Sequence, residues 1–580
     1  MISFGKRKFL SLLPAASFSA AILSLSSVLM FINVGHLLGE SALAAVNVAN
    51  PWIAFVGFLA SLLSLGTSVV RGHALGRGDR EAADRVFSTG VFAAAIIGLV
   101  LASVYLVFGN QLIDVLGAGA EISGKAKTIM RWYCPAVFTT PLMVVMLTAV
   151  MMDGGAKFGA FASALRLTVQ FVLQIAFLRR YGVAVIVLSA FASDLAAIAV
   201  LSLHFRSKRN SLRLVSGFSF GFLRSIVTSS IGDAGMTLCS ALVNVVLITF
   251  ITRFYGDQQL CILACYTMAL SLIEFMNGVG NALAPVISVY TGERNPGAIV
   301  SVARLAELIS IGEGLLATVC FVTFPGIVIG LLGMDAEALS EGAITLIRLS
   351  TLGFACHALV CLYNTYYVCI QKPALSILVC YLEGLIMPAG LMLAFGWRSP
   401  AALWTAVGLA PFSAIAVFFA VLYLRLRRHP LPACGHFPLM IDDTRAAKIE
   451  TVSLKIEPTA IVAVSKRIGE LMRRYFVGEG TEAERMSTRA ALLTEEVLMA
   501  VRDRNGGKTL NAEVTLDFNE TPQLTIRDDG IVFDITDEDQ RISSLRSYLV
   551  SSLMSAQSVR QHYLTTGFNR NLFRFDAGQA

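Results

Sequence analysis

Charged residues are scarce in this chain of 580 residues. Asp, Glu, Lys and Arg make up only 15% of it, and hydrophobic residues make up 56%. Because a soluble globular protein is about one quarter charged, this composition excludes an ordinary soluble protein and indicates a membrane protein. The formal charge of +7 is explained by the connections between apolar runs, and no basic patch with interleaved aromatic residues indicates nucleic-acid binding.

Cysteine patterns that would indicate a metal site are also missing. All ten cysteines precede residue 435, most lie in apolar runs, and none has the paired spacing of a zinc site. Cys261 and Cys265 lie one helical turn apart and are expected to be small core residues. We therefore expect no metal ligand and no disulfide at this pair.

Long apolar runs are abundant before residue 427. A helix needs roughly 20 apolar residues to cross a bilayer, and the sequence predicts an all-α polytopic membrane protein with twelve such helices. We place them near residues 10–35, 48–72, 88–112, 129–152, 158–178, 182–204, 222–252, 260–290, 298–331, 342–370, 374–397 and 401–425.

Basic residues indicate the orientation of these helices. They precede the first span and follow the second, sixth and twelfth, at residues 6–8, 71–85, 206–213 and 425–428. With twelve spans these segments share one side, and the positive-inside rule places that side and both termini in the cytoplasm. The first apolar run is too long for a signal peptide and is predicted to be the first helix of a multi-pass protein in a bacterial plasma membrane.

Two segments 216 residues apart share a local pattern. Leu-Gly-Arg-Gly-Asp at 75–79 and Thr-Gly-Glu-Arg-Asn at 291–295 each follow a long apolar span. A duplicated helical bundle is the usual architecture for alternating access, because two similar halves can rock around a shared cavity. The repeat therefore predicts two pseudo-symmetric six-helix lobes, at 1–217 and 218–426, that move a solute across a membrane.

Short motifs occur in a fixed order along the same region. They are Val-Gly-His-Leu-Leu-Gly-Glu-Ser at 34–41, Asn50-Pro51, Met-Asp-Gly-Gly-Ala-Lys at 152–157, Gly-Val-Gly-Asn-Ala-Leu-Ala-Pro at 278–285 and Gln371-Lys372-Pro373. Together with residues 75–83 they resemble the MATE (multidrug and toxic compound extrusion) family over about residues 10–425. The resemblance implies two lobes arranged in a V and the efflux of organic, often cationic, compounds in exchange for protons or sodium.

The chain departs from that family at the usual cation site of the first lobe. Many members carry an acid in the first helix, about five residues before the glycine that is Gly35 here, where this chain has Met30. The fifth helix has Gln170 and Gln174 where relatives often show Asn and Asp. The acidic groups of the familiar first-lobe site are therefore absent from these positions.

Ionisable residues inside the remaining spans are candidate functional residues, because burying a charge in a bilayer is costly. They are Arg166, Asp194, Asp233, Glu274 and Glu383, with Asn244, Tyr363 and Asn364 as candidate polar residues of a cavity. Arg166 and Glu383 are 217 residues apart, so we predict that they face each other across the cavity. Glu274 is the preferred cation-binding group. A structural ion pair, or an acid that reaches the interface, is the alternative for each charge.

The composition changes after residue 427. Residues 427–450 contain Pro430, Pro432 and Pro438, which interrupt a continuing helix, and are predicted to be a linker. Residues 451–580 are predicted to be a soluble α/β domain. Its predicted strands are 451–456, 512–518, 523–527, 559–564 and 571–575, and its predicted helices are 459–476, 484–503 and 540–554.

Three motifs of this domain point to a second family. They are Leu-Leu-Thr-Glu-Glu-Val-Leu-Met-Ala at 492–500, Ile-Arg-Asp-Asp-Gly-Ile-Val-Phe-Asp at 526–534 and Gly-Phe-Asn-Arg-Asn at 567–571. They resemble the GHKL-type ATP-binding sandwich of anti-sigma serine kinases, which implies Glu496, Asp528 and Gly530 as remnants of a nucleotide site. The magnesium-holding Asn of the family is replaced by Ala500, and the expected lid at 542–550 has no glycine. We therefore expect weak or absent ATP binding, no catalytic residues and a regulatory or partner-binding role.

The sequence thus favours a secondary antiporter for organic compounds, coupled to protons or sodium and carrying a cytosolic regulatory domain. It is expected to contact membrane lipid, a small organic substrate and a cytosolic regulatory protein, and to need no cofactor. A lipid-precursor flippase of the same superfamily and a membrane ligand sensor that signals through its C-terminal domain are the alternatives. An ATP-dependent kinase is disfavoured by Ala500 and the lid without glycine.

Overall fold

The structure is a computed structural model and forms two compact units. The helical unit comprises Leu10–Gly292 and Ala303–Pro430, and the sheet unit comprises Met1–Phe9, Glu293–Val302 and Leu431–Ala580. The two predicted lobes are not separated at this level, so their boundaries and that of the linker stay predictions. The structure describes residues 3–38, 40–114, 120–207, 210–255, 258–326, 341–428, 433–439, 441–442, 448–475, 480–508, 510–519, 521–531, 549–550, 552–553, 559–563 and 568–575.

Six long helices make up the first half of the chain, with short connections such as that at Gly78, whose φ of 84° suits glycine. The helices are α1 (Phe4–Leu38), α2 (Glu40–Gly76), α3 (Arg80–Asp114), α4 (Ala120–Met152), α5 (Ala156–Tyr181) and α6 (Ala184–Leu203).

The helices of the second half are more often interrupted. They are α7 (Phe220–Phe254), α8 (Gln258–Ile273), α9 (Asn277–Gly292), α10 (Pro296–Thr323), α11 (Glu341–Thr351), α12 (Phe354–Cys369), α13 (Pro373–Tyr381), α14 (Met387–Leu391) and α15 (Pro400–Arg428). A 3₁₀ turn, Glu274–Met276, joins α8 to α9, and π-helical turns Leu382–Ile386 and Met392–Gly396 flank α14.

Ten helical segments in the described part of the chain are long and apolar enough to cross a membrane. The other two predicted spans, 10–35 and 222–252, fall on helices α1 and α7, in which several side chains are not described. Large apolar side chains such as Leu99, Leu106 and Val107 on α3 stay exposed, as expected of helices that face lipid. The chain is a multi-pass membrane protein, and the exact number of twelve spans stays a prediction.

Small residues bring α2 and α9 into close contact. A Cβ atom on Gly76 would lie 2.7 Å from the Cα of Gly292, and one on Gly72 would lie 2.6 Å from the Cβ of Ser288. Each of these residues meets the one 216 positions further along the chain. Residues that touch their own repeat mates lie at the axis of an internal two-fold symmetry. The two halves of the repeat therefore meet at α2 and α9, and glycine permits that approach.

The sheet unit is built around a five-stranded antiparallel sheet. Its strands are β3 (Ile449–Lys455), β4 (Asn511–Asp517), β5 (Gln523–Asp528), β6 (Val559–Tyr563) and β7 (Phe568–Arg574), in the order β3-β4-β5-β7-β6. A small hairpin of β1 (Ala433–Cys434) and β2 (Ile441–Asp442) precedes it.

Helices α16 (Pro458–Tyr475) and α17 (Gly480–Arg504) cover one face of this sheet. Alternate strand residues such as Val514, Leu516 and Ile526 pack beneath them in an apolar core, because successive side chains of a strand point to opposite faces. These elements lie where alternation and helical periodicity placed them. Most of the helix predicted at 540–554 lies outside the described residues, and kinship with GHKL proteins stays a prediction.

A buried charge network connects α2, the connection after α4 and the end of α6. The carboxylate of Asp153 accepts hydrogen bonds from Arg71 at 3.0 Å, from His204 Nε2 at 3.0 Å and from the backbone N–H of Ser211 at 2.8 Å. Burial of Asp153 acts to raise the pKa of its carboxyl, but the hydrogen bonds and the Arg71 charge outweigh it and hold that pKa below 3.8. The network therefore depends on an ionised Asp153.

Replacing Asp153 by Asn is expected to lower the free energy of unfolding by about 3–5 kcal/mol at pH 7, because Arg71 loses its buried counter-charge. The folded-state pKa of Asp153 lies below the ordinary value, so its contribution is complete above roughly pH 4 and is lost as the pH falls further. The difference in Tm between Asp153→Asn and the native protein should shrink in acid, as measured by scanning fluorimetry in detergent. Asp114→Asn, at an exposed position, is the control, and an equal Tm for Asp153→Asn and native protein at pH 7 would contradict the prediction.

Candidate functional site

Three helices of the first half form a polar cluster around Asp194. Arg166 on α5 donates from Nε to Asp194 Oδ1 at 2.7 Å, and Thr140 on α4 donates to Oδ2 at 2.6 Å. A weaker bond of 3.4 Å comes from Thr139. Asp194 is fully buried and the Arg166 side chain is 15% exposed. Because every contact satisfies the carboxylate with a protein donor, this first-half cluster is suited to hold three helices together.

The second half carries a different cluster around His357. His357 Nδ1 on α12 lies 2.6 Å from Glu383 Oε1, and its Nε2 lies 3.7 Å from the Cys361 sulfur. The side chains of His357 and Glu383 are 15% and 9% exposed. Glu274 is close enough to His357 to feel its charge. An imidazole bonded to a carboxylate can exchange a proton, whereas a guanidinium keeps its proton, so this second-half cluster can do chemistry that the first cannot.

A local irregularity of the helix presents Glu383. This residue lies in the π-helical turn Leu382–Ile386, in which the Met387 N–H bonds to the Leu382 carbonyl five residues back. Pro388, the next residue, has no N–H to offer, so the regular bonding pattern is interrupted at this point. Single π-turns are frequent at functional sites because they reposition one side chain.

The two clusters occupy equivalent positions in the repeat. Arg166 and Glu383 are 217 residues apart, and so are Thr140 and His357. The predicted pairing of Arg166 with Glu383 across a cavity is nevertheless wrong, since each has a partner in its own half. The repeat offset places Arg166 and Glu383 at equivalent depths but does not make them neighbours. Each binds an oppositely charged partner on another helix of its own half.

Sequence reasoning missed His357, which is the central residue of the second-half cluster. A histidine within an apolar span is itself a signal, because an ionisable group there needs a partner. Applying the 217-residue offset to His357 would also have identified Thr140, the residue that bonds Asp194 in the other half.

The other predicted residues are dispersed. Tyr363 donates to Glu307 at 2.7 Å, and Asn364 is fully buried and accepts from Ser376 at 2.5 Å. Asn244 is half-buried on α7, and Glu274 is exposed at the turn between α8 and α9. Of these, the structure brings only Glu274 into the second-half cluster. The side chain of Asp233 lies outside the described residues.

Neutral amides occupy the region of the usual first-lobe cation site. Asn33 Nδ2 donates to Gln174 Oε1 at 3.1 Å, and Gln174 Nε2 donates to Ser189 at 3.3 Å. Asn33 and Gln174 are 8% and 1% exposed. Because these three residues satisfy one another without a formal charge, they offer no counter-charge to a cation.

A histidine joins the two halves beside the α2–α9 crossing. His73 on α2 is buried, its Nε2 lies 2.8 Å from the Cys369 carbonyl, and its Nδ1 lies 3.0 Å from Gln371 Nε2. The carbonyl can only accept and the amide nitrogen can only donate. Both bonds therefore require a neutral ring with its proton on Nε2, and the halves are closed together at this end by a polar contact as well as by glycine packing.

The predicted nucleotide-site remnants lie in the sheet unit. Asp528 is fully buried, and its Oδ1 accepts from Asn569 Nδ2 at 2.7 Å and from the Gly530 N–H at 3.1 Å. Glu496 is half-buried on α17, and Ala500 lies in the core one turn away. Asp528 is thus engaged by protein donors. Among the described residues, no group of three or more His, Cys, Asp or Glu is arranged to hold a metal ion.

Known proteins resemble the chain over the helical region. A solved outward-facing structure of a multidrug resistance MATE family transporter of the MOP superfamily is 18% identical, with a TM-score of 0.68 over 74% of this chain and 97% of the other. A MOP superfamily transporter from Pyrococcus furiosus, described as having a binding pocket of reverse polarity, gives 18% identity and a TM-score of 0.68 over 73% of this chain and 97% of the other. At these identities the likeness shows the fold alone. Comparison with curated proteins gives no match.

The sequence itself identifies the family. The MatE family model matches residues 15–176 and 234–388, which together are more than half of the chain. Both matched segments lie in the predicted lobes, one in each half of the repeat, and neither includes the five-stranded sheet. The chain belongs to the MatE family, and it is a transporter rather than an enzyme.

Proposed function

We propose that this protein is a proton-coupled antiporter that exports organic cations, with the second-half cluster as its proton-binding site. The observation that carries the proposal is the His357–Glu383 pair, 2.6 Å apart and partly exposed. At the equivalent position of the first half, Asp194 is fully buried and bound to Arg166. The familiar first-lobe site is replaced by neutral amides.

Protons suit this pair better than sodium does. Sodium is a hard cation that prefers several oxygen ligands, as other hard cations do, whereas an imidazole beside Glu383 contributes nitrogen and, when protonated, a positive charge. Rather than binding sodium, the His357–Glu383 pair can hold one proton or two. It can also lose its last proton when its surroundings favour the unprotonated form.

The exchange of protons for an organic cation follows from the net charge of the His357–Glu383 pair. With two protons bound the His357–Glu383 pair is cationic, and with none it is anionic and attracts an organic cation. Protons and the organic cation therefore compete for the anionic form of the pair. This competition is sufficient to couple their movements in opposite directions. Glu274, which interacts electrostatically with His357, is a further carboxyl group near the pair.

Alternating access requires that the contacts joining the halves can open. The glycine crossing of α2 and α9 and the His73 bonds to Cys369 and Gln371 lie at the end of α2 that leads to the basic segment 71–85. By the positive-inside rule this end is cytoplasmic. We therefore assign the described conformation as closed to the cytoplasm, in a bacterial plasma membrane and with both termini cytoplasmic.

The sheet unit is assigned a regulatory role on the cytoplasmic side. Its resemblance to GHKL domains rests on sequence motifs, and the support for a lost ATPase activity is Ala500 in the core and Asp528 bound by Asn569. We assign it no ATP cofactor. A cytosolic regulatory protein is its proposed partner, and the helical unit is assigned membrane lipid and a small organic substrate.

Neutralising the second-half cluster is expected to uncouple transport. His357→Gln and Glu383→Gln should each lower proton-driven efflux of a fluorescent organic cation from proteoliposomes by at least about tenfold, because one member of the proton-binding pair is lost. A sodium gradient alone should drive no efflux by the native protein.

The matched control is Glu313→Gln, which removes a half-buried membrane carboxylate outside both clusters. Asp194→Asn serves as the first-half comparison, and it should lower the amount of folded protein without altering how the remaining efflux depends on the proton gradient. Unchanged proton-driven efflux in both His357→Gln and Glu383→Gln would refute the assignment.

A methyl group at the α2–α9 crossing is expected to weaken closure. The Cβ of Gly76→Ala would lie 2.3 Å from the Val289 carbonyl oxygen, so the helices must separate. The test uses a variant in which every cysteine except the buried Cys369 has been replaced. In that background, Gly76→Ala should increase the rate at which maleimide labels Cys369 by about tenfold or more. Gly57→Ala lies on the same helix with nothing within 4 Å of the added atom, and equal labelling in these two variants would contradict the prediction.

Full-length protein is expected to bind MgATP no more tightly than a Kd of about 1 mM in titration calorimetry, because Asp528 is already occupied by protein donors. A micromolar Kd that Asp528→Asn abolishes would show that a working nucleotide site remains.

A further inference from the structure

The second face of the five-stranded sheet carries a row of buried polar residues. Ser453, Glu513, Arg527 and Arg570 are directly paired across four neighbouring strands. They lie on the face opposite the helices α16 and α17, because their neighbours Val514 and Ile526 point into the apolar core. A sheet face turned to water would leave such charges hydrated. Here Glu513, Arg527 and Arg570 are 2%, 1% and 7% exposed.

Glu293 completes this row from a distant part of the chain. Its carboxylate forms an ion pair with Arg527 and lies 3.4 Å from Arg570 Nε, and its side chain is 2% exposed. Arg527 also bonds to Glu513 at 2.8 Å. Glu293, Glu513, Arg527 and Arg570 thus form a buried charge cluster with two positive and two negative members. Removing Glu293 would take one of the described counter-charges away from two arginines in a desolvated site.

Another described charge pair of the sheet unit is weaker. Arg7 approaches Asp529 only to 3.9 Å, and its side chain is 59% exposed, so that pair contributes little. The buried charge cluster is therefore the specific attachment between the sheet and the segment Glu293–Val302, which belongs to the same compact unit.

The position of Glu293 gives this attachment a consequence for transport. Glu293 directly follows Gly292, the last residue of α9, and Gly292 packs against Gly76 where the two halves meet. In the first half the equivalent residue is Arg77, which is exposed. At this position the second copy of the repeated connection carries an acid, whereas the first carries an arginine.

We propose that the sheet unit inhibits transport by holding Glu293, and with it the end of α9, so that the α2–α9 contact opens less often. Release of Glu293 from Arg527 and Arg570 is then the activating step. The inference rests on the proposed antiport, since inhibition presupposes an alternating-access cycle, but the contact itself is testable without a substrate.

Hydrogen exchange on the full chain tests the attachment. Glu293→Gln keeps the shape of the side chain and removes its charge, and it should accelerate amide exchange in Glu293–Val302, β5 and β7 by about tenfold. Arg77→Gln, at the equivalent position of the first half, should change nothing in these segments.

Two activity readings then decide the inhibitory role. Glu293→Gln should raise efflux of the fluorescent cation by at least about twofold and should speed labelling of Cys369, whereas Arg77→Gln should do neither. Native exchange rates in Glu293→Gln would overturn the attachment. Faster exchange with unchanged or slower efflux would overturn inhibition. If the native protein exports no substrate, the proposed antiport fails, and Cys369 labelling alone then decides whether Glu293 holds α9.

Discussion

The cost of placing a charge in a low-dielectric environment organises this molecule. An ion that leaves water loses several kcal/mol of hydration even after the protein relaxes around it, so a buried charge needs a partner. Asp194 is met by Arg166, Asp153 by Arg71, and Glu293 by Arg527. These pairs join helices or strands that are far apart in sequence, so the same requirement that neutralises a charge also determines which elements pack together.

Equivalent positions of the repeat have acquired opposite charges. Arg166 and Glu383 lie at matching positions, and their partners, Asp194 and His357, are reversed in sign accordingly. A guanidinium keeps its proton at all physiological pH values, whereas an imidazole does not. One fold can therefore use one copy of the site for permanent structural neutralisation and the other for reversible proton binding.

Much of the architecture could be predicted because it depends on local pattern. Apolar length located the helices, and alternation located strands such as β4 and β5. The site was less predictable. Which residues pair depends on which side chains face each other between helices. The repeat offset indicates the depth of a residue in the membrane but not the direction of its side chain. For this reason Arg166 was paired wrongly and His357 was overlooked. The attachment of Glu293 to the sheet was invisible for the same reason.

The members of the buried charge cluster lie far apart in sequence, so they are synthesised at different times. Glu293 and Arg527 are 234 residues apart, and ribosomes add about 5–20 residues per second. The glutamate therefore leaves the ribosome on the order of 10–50 s before its arginine exists. During that interval α9 and α10 can insert into the bilayer with their connection unattached. The restraint on α9 is imposed only on a chain whose membrane helices are already in place, so the sheet unit cannot hinder the assembly of the bundle whose motion it later limits.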